Sequence, residues 1–275
     1  MNRLVVSACA SHVSSVDRLG CLKRTLEEYS PCTSICMICM SISYEKEFER
    51  DVFQLKNRFG GTPQCTVITH TEKQSQFSHY AVIARYLAEK ERTRLVWLLF
   101  FDDDDRWPPY RLDVYCRMID EATGKGDSVV YPVGDTTMCD VSQDLPRRVM
   151  HTSSVQQLLD KYSEKAYKGF EYVTFACTLD VLLTFVEKLS SHGRSTFDHA
   201  CCDMLFRNYL SYNRVSVINY DGPPLYVRKS AKLSDQDSNF VRYVLDSVYN
   251  HDTWSARWNN EIKGLFYEHD APSAI

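Results

Sequence analysis

The sequence lacks several features that would assign it to a class at once. In its 275 residues no apolar run reaches the roughly 18 to 20 residues of a membrane span, so we expect none. Lysine and arginine number 32 against 36 aspartates and glutamates, and the net charge of −4 excludes the global basic surface typical of nucleic-acid binding. Internal repeats, low-complexity tracts and linkers rich in proline, glycine or serine are also absent. These absences leave a globular chain whose function has to be inferred from local motifs.

Cysteine, in contrast, is abundant, with 11 residues in mostly apolar segments, as is typical of buried free thiols. The odd number, and an apolar patch near the N-terminus that is too short for a secretion signal and favours a strand, indicate a reducing compartment. We therefore expect a cytoplasmic protein. Cys32, Cys36 and Cys39 have the C-x3-C-x2-C spacing that can hold an iron–sulfur cluster. Because alternation along a strand sends Cys36 and Cys39 to opposite faces, packing in the core is the favoured interpretation.

The first hundred residues alternate between strand-like and helix-like segments. Apolar strands are predicted at 3–10, 34–43, 64–70 and 94–101, and the segments between them have apolar residues at helical spacing. This order predicts a Rossmann-like α/β fold with a doubly wound, mainly parallel central sheet flanked by helices. The fourth strand is apolar on both faces, which places it at the centre of the sheet. Further on the pattern weakens, and it predicts strands at 128–134 and 214–219 and helices at 155–167, 179–193, 197–211 and 239–250.

Four consecutive aspartates, Asp102–Asp105, follow that central strand directly. Ligands of open α/β sheets bind at the carboxyl ends of the strands. Adjacent carboxylates repel one another, and a hard divalent cation with a preference for oxygen ligands removes this repulsion. Mg²⁺ and Mn²⁺ typically share one or two carboxylates with substrate phosphates, so these residues indicate a metal–nucleotide site. The alternative is a solvated acidic turn, which the preceding all-apolar strand disfavours.

The segment 100–112, FFDDDDRWPPYRL, resembles the D-x-D region of GT-A glycosyltransferases, which use nucleotide sugars, and most closely that of family 2. The resemblance implies that Asp104 binds Mn²⁺ or Mg²⁺, with Asp102 beside the metal and the donor's ribose and sugar. It also implies that Asp103 lies at the donor site as a supporting residue. Trp107 would contact the acceptor.

The resemblance extends to three other segments, 6–29, 73–88 and 223–236. It implies one GT-A domain over residues 1–275, with 1–112 as the nucleotide-sugar donor half and 113–275 as the acceptor half. Besides Asp102 and Asp103, it implies as donor-binding residues Ser7, Ala8, Ser11, His12, Arg18, Ser41, His79, Arg228, Lys229 and Lys232.

The segment 199–210, HACCDMLFRNYL, resembles the helix start that carries the family's catalytic base. On this match Asp203 is the base and Arg207 its companion on the helix. Because Cys202 stands where the family has a glutamate, Asp198 remains the alternative base.

The resemblance implies a metal-dependent, inverting transfer of a sugar from a nucleoside-diphosphate sugar to a hydroxyl of a glycan acceptor. The chain is also similar to the soluble glycosyltransferases of large algal viruses, which implies a UDP-sugar such as UDP-xylose and, for a viral protein, the host cytosol. The alternatives are a nucleotidyltransferase and a catalytically inactive GT-A binding module. A nucleotidyltransferase should carry a glycine-rich, lysine-containing loop after the first strand, where this chain has no glycine before Gly20.

Overall fold

The computed structural model describes residues 3–29, 36–108, 110–134, 138–141, 172–190, 202–211 and 213–229. The strands within them are β1 (Arg3–Val13), β2 (Met37–Tyr44), β3 (Cys65–His70), β4 (Leu95–Asp102), β5 (Val129–Val133), β6 (Met138–Val141), β7 (Ala176–Thr178), β8 (Val215–Asn219) and β9 (Tyr226–Lys229). The α-helices are α1 (Val16–Tyr29), α2 (Glu49–Phe59), α3 (Gln76–Lys90), α4 (Tyr110–Lys125), α5 (Leu179–Ser190) and α6 (Cys202–Ser211). Two short 3₁₀ helices span Lys46–Phe48 and Tyr172–Thr174.

Seven of these strands form one sheet in the order β3-β2-β1-β4-β7-β5-β8. The neighbours β3-β2, β2-β1, β1-β4 and β5-β8 are parallel, and β7 runs antiparallel to both β4 and β5. The predicted α/β class with a mainly parallel central sheet is therefore confirmed. A separate two-stranded sheet pairs β6 with β9 in parallel.

The order of the strands explains why helices cover both faces of the sheet. The chain steps outward from β1 to β2 and β3, then returns to β4 on the other side of β1. Because such crossovers are right-handed, α1 and α2 cover one face and α3 the other. The helix contacts agree, since α1 packs on α2 whereas α3 packs on α5. The reversal between β1 and β4 is the switch point at which open α/β sheets bind ligands.

Strand β4 lies inside the sheet, as its sequence predicts, and all its residues from Val96 to Phe101 are buried. On one side its Phe100 meets an aromatic cluster in edge-to-face contacts, with ring centroids 5.3 Å from Phe206 and 5.8 Å from Tyr172. Phe77 of α3 joins the same cluster. Each such pair stabilises the fold by about 0.5–1.5 kcal/mol beyond its buried area. The cluster ties α3, α6 and the Tyr172 turn to the strand that ends in the aspartates.

Several features of the fold differ from the sequence-based prediction, among them the unpredicted strands β6 and β9. Strand β1 runs to Val13 instead of Ala10, because Ser11, His12 and Val13 stay in register with β2. Helix α4 was not predicted, although its buried Leu112, Tyr115, Ile119 and Ala122 have helical spacing. The short antiparallel β7 was not predicted either. The predicted helices 155–167 and 239–250 lie outside the described residues.

The sheet also bears on the predicted division of the chain. Strands β1–β4 come from the proposed donor half and β5, β7 and β8 from the acceptor half, so a single sheet crosses the boundary at residue 112. The extent of the domain to residue 275 stays a prediction, because residues 230–275 are not among those described. In the described part of the chain, none of the helices combines the length and the apolar character needed to cross a membrane.

The cysteines near β2 behave as core residues. Cys36 and Cys39 are both buried, and burial raises the pKa of Cys36 to about 11 and that of Cys39 further. Burial thus favours the neutral thiol at both positions, as is typical of cysteines that pack in a core. Cys32 lies outside the described residues.

Candidate functional site

The four aspartates form a tight turn at the carboxyl end of β4. Asp102 is the last residue of the strand, and the amide of Asp105 donates to the carbonyl of Asp102 at 3.2 Å. We call Asp102–Asp105 the aspartate turn. Antiparallel backbone hydrogen bonds of 2.9 and 2.7 Å between Arg106 and Val227 hold its far side against β9. The buried strand can end in consecutive charges because each carboxylate has a partner on another element.

Asp103 and Asp104 share Arg18 of α1. One guanidinium nitrogen, Nη1, lies 2.8 Å from Oδ1 of Asp103 and 3.0 Å from Oδ2 of Asp104. Asp103 is 3% exposed and also accepts a hydrogen bond of 2.6 Å from the Ser11 hydroxyl. Burial raises the pKa of Asp103 to about 6, with Asp104 adding to the rise and Arg18 opposing it. Two predicted donor-binding residues, Ser11 and Arg18, are thus brought to the turn as partners of its carboxylates.

Asp102 and Asp105 are held by residues that the sequence reasoning did not identify. Oδ1 of Asp102 accepts from Gln76 Nε2 at 2.9 Å and from the Tyr172 hydroxyl at 2.8 Å. The Tyr226 hydroxyl accepts from the Asp102 amide at 3.0 Å and donates to Oδ2 of Asp105 at 2.8 Å. One detectable signal existed for Gln76, since it follows Ser75, whose side chain caps α3 and fixes where the helix begins. Tyr172 and Tyr226 carry no such local signal.

The aspartate turn can supply one or two ligands to a divalent cation. The described residues contain no group of three or more histidine, cysteine, aspartate or glutamate side chains arranged to hold a metal. The half-buried carboxylates of Asp104 and Asp102 supply one or two oxygen ligands, the number that Mg²⁺ or Mn²⁺ takes when phosphates complete its shell. The residues therefore suit an ion shared with a phosphate ligand, and a site closed by protein alone is not present among them.

A second polar cluster lies at the carboxyl ends of β1, β2 and β3. Nδ1 of His12 is 2.9 Å from the Ser43 hydroxyl, which is 3.0 Å from Nε2 of His79. Nδ1 of His79 is 2.8 Å from the Ser41 hydroxyl, which is 3.0 Å from Nε2 of His70. We call these five residues the histidine–serine chain. Because β1 lies between β2 and β4, the chain and the aspartate turn share one edge of the sheet.

Besides Ser11 and Asp103, whose contacts at the turn are given above, four predicted donor-binding residues are buried. Ser7 and Ala8 lie in the middle of β1, paired with Leu99 and Phe100, and are buried on all sides. The resemblance of 6–29 implies that they bind the donor, but the strand continues past them to Val13. Ser41 and His79 are also buried, as inner members of the histidine–serine chain. The half-buried members of that chain are His12 and His70, and His70 was not predicted as a site residue.

Trp107, predicted to contact the acceptor, is a core residue. Its ring is 1% exposed and stacks on Tyr29 at 3.9 Å between centroids, with an angle of 7° between the planes. Its amide donates to the Tyr29 hydroxyl at 2.9 Å, and its ring edge meets Phe101. We therefore correct the assignment, because the stacked and buried ring anchors the aspartate turn to α1 and leaves no face for a ligand.

The predicted base, Asp203, lies in the first turn of α6 and is half-buried. Phe206, one helical turn further, faces the same side of α6 and lies 6.4 Å from the ring of Tyr172. The hydroxyl of Tyr172 bonds Asp102, so this face of α6 is connected to the aspartate turn through a single aromatic residue. The alternative base, Asp198, lies outside the described residues.

The predicted basic residues are described only in part. Arg228 and Lys229 lie in β9, with backbone partners Asp140 and Val141, and their side chains are outside the description. Lys232 lies outside the described residues. Because β9 begins at Tyr226, which bonds the aspartate turn, this strand starts at the site.

No protein-family model and no curated protein matches the chain. Among solved structures, TarS 1-349 of S. aureus is 14% identical with a TM-score of 0.49, covering 84% of this chain and 61% of that one. The same protein in complex with UDP-GlcNAc has a TM-score of 0.46 at 14% identity, covering 83% of this chain and 59% of that one. The 4-diphosphocytidyl-2C-methyl-D-erythritol synthase of Anaerococcus prevotii has a TM-score of 0.43 at 13% identity, covering 78% of this chain and 87% of that one. This chain thus spans about three fifths of the TarS 1-349 structure. Because these similarities are low, the chemistry of the site has to be inferred from the residues of this chain.

Proposed function

We propose that the protein is a metal-dependent, inverting glycosyltransferase that moves a sugar from a UDP-sugar, such as UDP-xylose, to a hydroxyl of a glycan acceptor. The observation that carries the proposal is the aspartate turn at the carboxyl end of β4, directly beside the switch point between β1 and β4. An anionic ligand would not bind beside four carboxylates unless a cation lay between them. A nucleoside diphosphate with Mn²⁺ or Mg²⁺ satisfies both the position and the charge.

The structure supports separate roles for the members of the turn. Asp103 is buried and held by Ser11 and Arg18, and Asp105 is buried and held by Tyr226, so both support the geometry. Asp102 and Asp104 also have side-chain partners, but they are half-buried, and we assign them as the ligands of the cation because of that exposure. Bound there, Mn²⁺ or Mg²⁺ would act as a Lewis acid that neutralises charge on the departing diphosphate.

The chain's own residues account for the other steps of the transfer. Arg18 has a half-exposed guanidinium next to the turn and can pair with the diphosphate as its negative charge develops. Asp203 accepts the proton of the acceptor hydroxyl while that oxygen bonds to the anomeric carbon. The bond from the anomeric carbon to the diphosphate oxygen breaks, and UDP leaves with the electron pair from the face opposite to the attack.

The loop between β1 and α1 argues against the nucleotidyltransferase alternative. Strand β1 ends at Val13 and α1 begins at Val16, so only Ser14 and Ser15 separate them. A phosphate-cradling loop at this position requires several residues with glycine, so that the backbone can approach the ligand.

The first experiment measures thermal unfolding with UDP, GDP, TDP and CDP, each with Mn²⁺ and with EDTA. We expect stabilisation by at least one nucleotide in Mn²⁺ that is reduced or lost in EDTA, since a ligand at a hundred times its Kd stabilises by about 2.7 kcal/mol. Equal shifts in Mn²⁺ and EDTA would contradict the proposed metal site.

The second experiment identifies the products released in Mn²⁺ from UDP-sugars with acceptor or water and, separately, from nucleoside triphosphates with sugar phosphates. A glycosyltransferase releases UDP as the sugar moves to acceptor or water, whereas a nucleotidyltransferase consumes a nucleoside triphosphate and releases pyrophosphate. Nucleotide binding without either product would indicate a binding module.

A further inference from the structure

The histidine–serine chain extends from the surface through the core and back to the surface. His12 and His70 at its ends are half-buried, whereas Ser43, His79 and Ser41 between them are buried. Its four contacts measure 2.8–3.0 Å, all within hydrogen-bonding distance. A set of bonds this continuous orders the protons of all five residues together.

The proton count permits only two arrangements of the chain. Each serine contacts two ring nitrogens and has one proton, so it donates to one nitrogen and accepts from the other. A neutral histidine likewise carries one N–H, so His79 donates at one nitrogen and accepts at the other. The backbone amide of Gln74 also donates to the Ser43 hydroxyl, at 3.3 Å. In both arrangements it uses the second lone pair of that oxygen, so it favours neither. Reversing one bond therefore reverses all four.

Glu45 selects one of these two arrangements. Its Oε1 lies 3.4 Å from Nε2 of His12, so a proton on Nε2 is favoured and a lone pair there is repelled. With Nε2 protonated, Nδ1 of His12 accepts from Ser43, Nε2–H of His79 donates to Ser43, and Ser41 donates to Nδ1 of His79. At the far end Nε2–H of His70 donates to Ser41, which leaves Nδ1 of His70 as a hydrogen-bond acceptor. All three histidines are then Nε2–H tautomers.

The surroundings keep the three rings neutral at physiological pH. Burial lowers the pKa of all three, that of His79 to about 3. Lys73 beside His12 and Lys56 beside His70 lower the pKa of those two rings further, and only Glu45 acts in the opposite direction, on His12.

We propose that Nδ1 of His70 binds the base of the donor nucleotide, and that Glu45, acting through the histidine–serine chain, makes it select a base whose ring nitrogen carries a proton, such as uracil, over cytosine. The inference rests on the proposed function, because it assigns a residue to the base of that nucleotide. Nδ1 of His70 makes no hydrogen bond to the described residues, and the ring is half-buried at the edge that the aspartate turn shares. His70 on β3 lies three strand spacings from β4, about 14 Å, which an extended nucleoside diphosphate spans.

The selectivity follows from the acceptor character of that nitrogen. Uracil presents N3–H to it, whereas cytosine presents a lone pair at the same ring position. With cytosine, its ring nitrogen and Nδ1 of His70 would both be acceptors, and neither would have a hydrogen bond. A tenfold preference for uracil corresponds to a difference of about 1.4 kcal/mol in binding free energy. His70 is the specificity-determining residue, and Glu45 is a positioning residue that acts through the chain.

The first test requires no nucleotide and uses ¹⁵N NMR to determine the tautomers of the histidines in the full-length protein. We expect His12, His70 and His79 to be Nε2–H tautomers, and we expect Glu45→Ala to give His70 a mixture of both. The matched control is Glu47→Ala, which removes another exposed acid two residues away that does not act on His12. A protonated Nδ1 on His70 in the wild type would overturn the inference.

The second test compares the Kd of UDP and CDP in Mn²⁺ for the wild type and for His70→Ala, Glu45→Ala and Glu47→Ala. We expect a preference for UDP of at least about tenfold in the wild type and in Glu47→Ala. In His70→Ala and Glu45→Ala it should fall below about threefold, mainly through weaker UDP binding. Thermal unfolding of each variant without ligand verifies that it folds.

The outcomes separate this inference from the proposed function. Equal affinity of the wild type for UDP and CDP overturns the role of His70 and leaves the glycosyltransferase proposal intact. Binding of no nucleoside diphosphate overturns the glycosyltransferase proposal and the role of His70 with it. A preference for UDP that persists in His70→Ala shows that another residue selects the base and overturns the inference.

Discussion

Replacement of Tyr226 by phenylalanine tests whether hydrogen bonds from strand β9 hold the aspartate turn in place. The hydroxyl of this buried side chain accepts from the amide of Asp102 and donates to the carboxylate of Asp105, at 3.0 and 2.8 Å. Tyr226→Phe keeps the ring and removes both hydrogen bonds. A bond to a charged group contributes about 1.5–3 kcal/mol and a neutral one about 0.5–1.5 kcal/mol. We therefore expect the free energy of unfolding to fall by about 2–4 kcal/mol.

The assay is urea unfolding of the wild type, Tyr226→Phe and the matched control Tyr115→Phe. Tyr115 is equally buried, but its hydroxyl donates to a single neutral acceptor, the carbonyl of Thr174. The control should therefore lose only about 0.5–1.5 kcal/mol. Tyr226→Phe should in addition weaken Mn²⁺-dependent binding of UDP, because the turn that presents Asp104 is no longer held, while Tyr115→Phe should not. Equal destabilisation by the two substitutions, with unchanged UDP binding, would refute this reasoning.

Three further substitutions test the carboxylates individually. Asp104→Asn should abolish Mn²⁺-dependent transfer and change stability by less than about 0.5 kcal/mol, because its side chain is half-buried; an active Asp104→Asn beside a folded but inactive Asp105→Asn would contradict the assignment. Asp203→Asn should lower kcat by at least about 10²-fold and leave the Kd of UDP unchanged. Near-normal turnover of Asp203→Asn, with loss of activity in Asp198→Asn, would identify Asp198 as the base instead. Asp103 has a raised pKa of about 6 against 3.8 for an unperturbed aspartate, so its folded state favours the protonated form and the stabilisation is lost as pH rises from about 4 to 6. Over that range the wild type should lose about 2 kcal/mol relative to Asp103→Asn in urea unfolding, and parallel pH profiles would show that Asp103 titrates normally.

The sequence was sufficient to locate the aspartate turn because that signal is local. A fully apolar strand followed at once by four aspartates requires the acids to lie at the end of a buried strand, whatever the rest of the fold. The resemblance of 6–29 also pointed to Ser11 and Arg18, which contact Asp103 in the structure, and their role in donor binding stays a prediction. The resemblance also pointed to Ser7, Ala8 and Trp107, which are buried, because a match of residue types does not show whether a strand continues for three more residues or whether an indole faces the core.

The residues that hold the turn could not be found from local patterns. Tyr172 and Tyr226 lie 70 and 124 residues from Asp102 along the chain. Nothing in a tyrosine's immediate neighbours indicates which distant carboxylate its hydroxyl will meet. The same holds for the histidine–serine chain, whose members come from β1, β2, β3 and α3.

The sequence by itself determined the α/β class, the central position of β4 and the concentration of negative charge at its end. Periodicity and adjacency encode all three, since they depend only on residues near one another in the chain. Only the tertiary structure decided which side chains hold each of the four aspartates, and that Asp103 and Asp105 are buried whereas Asp102 and Asp104 are half-buried. It alone decided that three histidines and two serines form one hydrogen-bonded chain. The physical reason is that hydrogen bonding of buried polar groups depends on which strands become neighbours, and the order β3-β2-β1-β4 is set by the packing of the whole sheet.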